Sequence, residues 1–113
     1  MPDIQRTRIE PDVEVVAVSG KIILGRECQR VEWLVDELIR DGQKKVVFDL
    51  SGLTHIDSTG VGIIVTCCGR MTKAGGELRL AALQPRILEI LHIAKLDRVL
   101  SFYPSAETAA ERF

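Results

Sequence analysis

Neither sign of charge is in excess in this chain: fifteen Lys and Arg stand against sixteen Asp and Glu, for a net charge of −1. A chain so balanced projects no field toward a polyanion, which argues against nucleic acid as a partner and leaves partner choice to local surface. Long apolar runs are missing as well. The longest uncharged stretch, Ser58 to Gly69, has twelve residues, three of them glycine. That is short of the roughly 20 residues that cross a bilayer, so no membrane insertion is expected. Met1 to Arg6 hold no apolar segment behind a basic start, which predicts no secretory signal and a cytoplasmic location. Cysteine is sparse and odd in number. Cys28, Cys67 and Cys68 fit neither a Cys-x-x-Cys redox pair nor a zinc ribbon and read as reduced packing residues. His55 and His92, the only imidazoles, have no partner at metal-ligand spacing. No metal and no cofactor are expected.

The 113 residues suffice for one compact core, and 46% hydrophobic with 27% charged residues is a globular balance. No repeat, low-complexity tract or linker divides residues 1–113, so a single domain is expected. Ile4 to Ile9 and Val13 to Val18 read as a hairpin across Glu10-Pro11-Asp12. After Gly25, Val31, Leu34, Val35, Leu38 and Ile39 follow the spacing of an amphipathic helix that Asp41-Gly42 ends. Val46 to Leu50 is a short apolar run suited to a central strand buried on both faces. The Ser51-Gly52 turn and a connector from Leu53 to Ile56 lead to a second helix, with Val61, Ile64, Val65, Cys68 and Met71 as its core stripe. Glu77 to Ala81 alternates like a strand, Pro85 opens a third helix with Ile87, Ile90, Leu91 and Ala94 on one face, and a last strand is expected near Val99 to Tyr103. Ser105 then caps a final helix carrying Ala106, Ala109, Ala110 and Phe113. Alternating strands and helices imply right-handed crossovers. The fold class is therefore α/β, a mixed, mostly parallel central sheet with an N-terminal hairpin edge and packed helices.

Asp57, Ser58 and Thr59 fall where the second helix begins, beyond the carboxyl end of the central strand, the usual place for function in an open α/β sheet. A helix N-terminus favours negative charge, so a phosphate on Ser58 is compatible with the fold. Plain N-capping by Asp57 or Ser58 accounts for the triplet on its own. The helix that follows points further, because nothing charged occurs up to Gly69. Ordinary surface helices have a polar outer face. Gly60, Gly62, Ile63, Thr66 and Cys67, left over from the core stripe, are expected on its flanks or outside, as a smooth docking surface.

His55, Asp57 and Ser58 are also the residue types of a hydrolytic triad. Three residues within one short connector cannot readily align nucleophile, base and orienter, and position 56 is Ile where a nucleophile elbow needs Gly. No phosphate-cradling loop is present either: no Lys or Arg lies between Lys45 and Arg70. The chain is not expected to be an enzyme.

The run Asp49-Leu50-Ser51-Gly52, then Ile56-Asp57-Ser58-Thr59-Gly60-Val61-Gly62, then Gly75-Gly76-Glu77-Leu78-Arg79-Leu80, resembles the STAS domain of bacterial anti-sigma factor antagonists. The likeness extends over essentially the whole chain, including Leu96-Asp97-Arg98-Val99-Leu100 and the final helix near Ser105. It implies a phosphorylation-controlled partner switch. The unmodified antagonist binds an anti-sigma factor that is also a serine kinase of histidine-kinase-like ATPase fold and so releases the sigma factor. Phosphorylation reverses this, and a serine phosphatase restores the antagonist. The family's acceptor serine falls on Ser58, with Thr59 the alternative. Taken with the uncharged flank of the helix, the expected partner-binding residues are Asp57, Ser58, Thr59, Gly60, Gly62, Ile63 and Thr66. Gly20 to Gly25 departs from the pattern, since many members carry an Asp shortly after the glycine. The alternative role is a non-switching STAS subunit of a stress-signalling scaffold or a lipid-transport complex.

Overall fold

The computed structural model describes residues 3–96, 100–111 and 113. Among them six strands and four helices alternate: β1 (Asp3–Ile9), β2 (Val13–Ile22), α1 (Arg26–Arg40), β3 (Lys45–Asp49), β4 (Leu53–Ile56), α2 (Ser58–Lys73), β5 (Glu77–Ala81), α3 (Pro85–Ile93), β6 (Phe102–Tyr103) and α4 (Ala106–Ala110). The sheet order is β1-β2-β3-β5-β6, with β4 attached to β2. Only the β1–β2 hairpin is antiparallel, and every other pairing is parallel. The expected mixed sheet with a hairpin edge is the one observed.

The strands alternate between two apolar layers. Val16, Val18, Val46, Phe48 and Leu80 enter the main core with Val31, Val35 and Leu38 of α1, Ile64, Cys67 and Met71 of α2, and Ile87 of α3. Val15, Val47 and Ala81 face the other way, onto Ala106 and Ala109 of α4. Val46, Val47 and Phe48 are all fully buried, which makes β3 the central strand covered on both faces. Burial also raises the thiols of Cys67 and Cys68 to about 12, so both are protonated at neutral pH and suited to packing.

Four expectations change. Leu53 to Ile56 is a strand rather than a connector: the far half of β2 pairs with β4, with a register shift at Gly20/Lys21 inside that pairing, where its near half pairs with β3. A β4 of four residues, two of them the polar Thr54 and His55, has little local signal and exists because β2 is long enough to extend past β3. In α2 the core stripe is Gly60, Ile64, Cys67 and Met71, so Gly60 and Cys67 point inward while Val61, Val65 and Cys68 flank them. Ile63 also packs partly against the core. In α3 Ile87 and Leu91 are buried, whereas Ile90 and Ala94 are exposed. The last described strand is confined to Phe102 and Tyr103; Val99 and the neighbouring Asp97 and Arg98 lie outside the described residues.

Candidate functional site

The site is built at the β4–α2 junction. Asp57, in extended conformation, is the N-cap of α2: its Oδ1 accepts the Gly60 N–H at 2.8 Å, while its main-chain carbonyl accepts the first helical bond from Val61 at 2.9 Å. Its other oxygen reaches out of the element. Oδ2 accepts the Leu24 N–H, 2.9 Å away, from the loop that joins β2 to α1. One carboxylate therefore ties the start of α2 to the end of β2. These two backbone donors, Leu24 first and Gly60 second, hold the Asp57 carboxyl below its usual range against a weaker opposing effect of desolvation.

Gly60 permits this closeness. A Cβ there would stand 2.1 Å from the Ile22 carbonyl oxygen and 2.9 Å from Ile56 Cγ1. It therefore belongs to the packing between α2 and β2, and its expected place on the docking surface is corrected accordingly.

Ser58 and Thr59 are exposed in the first turn, and Gly62, Thr66 and Gly69 continue that exposed row along α2. Around Gly62 and Gly69 an added Cβ would meet nothing within 4 Å, so packing does not require glycine at either position. Their effect is to leave helix backbone open to solvent. The first cation along α2, Arg70, is held by Glu32 at 3.0 Å and Asp36 at 3.0 Å on α1. The outer face of α2 is thus small, polar and uncharged over three turns, with a hydroxyl at its head.

His55 does not join Ser58. Its Nδ1 lies 2.9 Å from Thr54 Oγ1, and both oxygens of Asp57 are occupied by main-chain N–H groups. Among the described residues, no cluster of three or more His, Cys, Asp or Glu side chains could hold a metal ion, and no helix is long and apolar enough to cross a membrane.

The sequence reading missed Leu24. It ends the apolar run Ile22-Ile23-Leu24 and looks like core, yet it is 74% exposed beside Asp57. Gly25, the N-cap of α1 at φ 123°, turns the chain immediately after it. A glycine directly behind an apolar run was the one available signal.

Known proteins share both the sequence and the shape. The family model described as the STAS domain matches residues 5–109. A Thermotoga neapolitana protein assigned as an anti-sigma factor antagonist is 31% identical over 92% of this chain and 92% of its own. A Thermotoga maritima crystal structure with the same assignment superposes with a TM-score of 0.86 at 23% identity, covering 96% of this chain and 92% of that one. The Bacillus cell fate determinant SpoIIAA, solved in its phosphorylated form, gives 0.73 at 16% identity over 97% of this chain and 98% of that one.

Proposed function

The chain belongs to the STAS domain family, and from that premise we propose that it is an anti-sigma factor antagonist, a cytoplasmic regulator without catalysis of its own, switched by phosphorylation of Ser58. The observation that carries the reading is the exposed Ser58 hydroxyl at the first position of α2, heading a helix face with no charge until Arg70. A kinase can reach that hydroxyl without unfolding anything. The names of the Thermotoga relatives support the antagonist role, and the phosphorylated Bacillus structure supports phosphate as a modification this fold tolerates.

In the forward step the Ser58 oxygen attacks the γ-phosphorus of ATP held by the anti-sigma factor kinase. An O–P bond forms, the bond to ADP breaks and the hydroxyl proton leaves. A phosphatase reverses the state by adding water across the ester and releasing phosphate. The unmodified surface is Ser58, Thr59, Gly62 and Thr66 with Asp57 fixing its head, and on it a partner packs against uncharged backbone and small side chains. Phosphoserine adds about −1.5 to −2 charges there, which an apolar or acidic partner surface cannot accommodate once water is excluded.

The test is intact-mass and fragment analysis after incubation with ATP and histidine-kinase-like ATPases that co-purify with the chain. One phosphoryl group mapping to Ser58 and absent from Ser58→Ala is expected. Phosphate only on Thr59 would move the acceptor, and co-purification with an integral membrane permease in place of a kinase would favour a transport subunit.

A further inference from the structure

The β2–α1 loop is short, and Leu24 within it holds an apolar side chain out in water, 74% exposed. The Gly25 N-cap has no side chain to offer, and α1 reaches the loop through Cys28, whose Sγ donates to the Ile23 carbonyl at 3.0 Å. The Leu24 N–H on the other side of that peptide donates to Asp57 Oδ2 at 2.9 Å, thirty-three residues away in sequence, and is the loop's tie to α2. Asp57 in turn is the residue immediately before Ser58.

Resting on the reading that Ser58 is phosphorylated, we propose that Asp57 couples that modification to the β2–α1 loop: a phosphoryl group on Ser58 displaces the Asp57 carboxylate from the Leu24 N–H and frees Leu24 from its place beside the head of α2.

The physical case is a competition. Phosphate and carboxylate, on adjacent residues, seek the same few N–H donors at the start of α2, of which Asp57 already takes the Gly60 N–H at 2.8 Å. Two neighbouring anions also repel. No cation of α2 relieves them, since the first one, Arg70, is engaged by Glu32 and Asp36. The two bonds of Asp57 are unequal in what they span. The bond to Gly60 closes a single helical turn, whereas the bond to Leu24 joins two separate elements and must be maintained by packing between them. The Leu24 bond is the one to yield. The partner then meets two changes at once: a new charge at Ser58 and a displaced apolar side chain at Leu24.

The experiment installs phosphoserine at position 58 during translation, so no kinase is needed, and follows amide hydrogen exchange by NMR in the full chain. Phosphoserine should speed Leu24 exchange by about tenfold or more while β3 amides stay unchanged, and in the Asp57→Asn background the same modification should change it by less than about threefold, because a neutral amide is not repelled. Equal Leu24 exchange with and without the phosphate overturns the coupling, as does an acceleration of the same size in the Asp57→Asn chain. If Asp57→Asn does not fold, the comparison in the Asp57 chain decides alone. Failure of every kinase to modify Ser58 would instead sink the switch reading and leave this measurement intact.

Discussion

Gly60 and Gly62 are two residues apart and look alike in sequence, yet their surroundings give them opposite roles. An alanine Cβ at position 60 would meet the Ile22 carbonyl at 2.1 Å, and main chain cannot move aside as a flexible side chain can. Gly60→Ala should therefore destabilise the fold by about 1–3 kcal/mol or more, as overpacking does, and should loosen the Asp57–Leu24 tie. At Gly62 nothing lies within 4 Å. Gly62→Ala should stabilise the chain by about 0.5–1 kcal/mol, since alanine costs less backbone entropy in a helix. Thermal unfolding of the two variants checks both signs. Sequence reading put both glycines on the same flank because the neighbour that separates them, Ile22, is far away in the chain. Asp57 was legible as a cap from its local context, whereas its bond to Leu24 depends on where β2 ends and could not be read.

Helix α2 was legible in extent and in its lack of charge, but its inward face was rotated from the expected one. With glycines at 60, 62 and 69, apolar spacing alone fits more than one stripe, and contact with β2 selects the one containing Gly60 and Cys67. The consequence falls on Ile63 and Thr66. Thr66 is exposed, so Thr66→Glu should change stability by no more than about 0.5 kcal/mol while weakening partner binding at least about tenfold. Ile63 is half-buried against the core, so Ile63→Lys should cost about 1–2 kcal/mol and confound any loss of binding. Paired melting and binding measurements separate the two. The short α4 poses a different problem, because five residues are too few to hold a helix without tertiary support. Ser105 caps its start, as expected from sequence, by accepting the Thr108 N–H at 3.1 Å. Its end is held by Arg79, which donates to the Ala109 and Glu111 carbonyls at 2.9 and 2.8 Å. The guanidinium also lies 4.0 Å from the Phe113 ring centroid and 5.1 Å from that of Tyr103. Arg79→Ala should cost about 2–3 kcal/mol in denaturant unfolding and speed amide exchange in α4, with Arg79→Lys intermediate because it keeps the charge and loses the planar fork.

For the whole molecule, the alternation of strands and helices was sufficient to give a mostly parallel sheet with a hairpin edge, because crossover chemistry leaves few other arrangements. What alternation could not reveal is that β2 is shared between β3 and β4, the feature that brings Ile22 and Leu24 up to the head of α2. The proposed docking surface depends on that sharing: the helix bearing Ser58 is registered against β2 by Gly60 and tied to its loop by Asp57. On the proposed reading, a partner that packs on this surface meets a fixed helix face whose charge changes at Ser58 and, beside it, a loop whose tie to Asp57 changes with that charge. The most direct measurement is titration calorimetry of the proposed anti-sigma factor kinase partner against the unmodified chain and the chain carrying phosphoserine at position 58. Micromolar or tighter binding of the unmodified form and a loss of at least about a hundredfold on phosphorylation is the predicted result, since a desolvated unpaired charge costs several kcal/mol and each 1.4 kcal/mol is a factor of ten. Equal affinity of the two forms would contradict it.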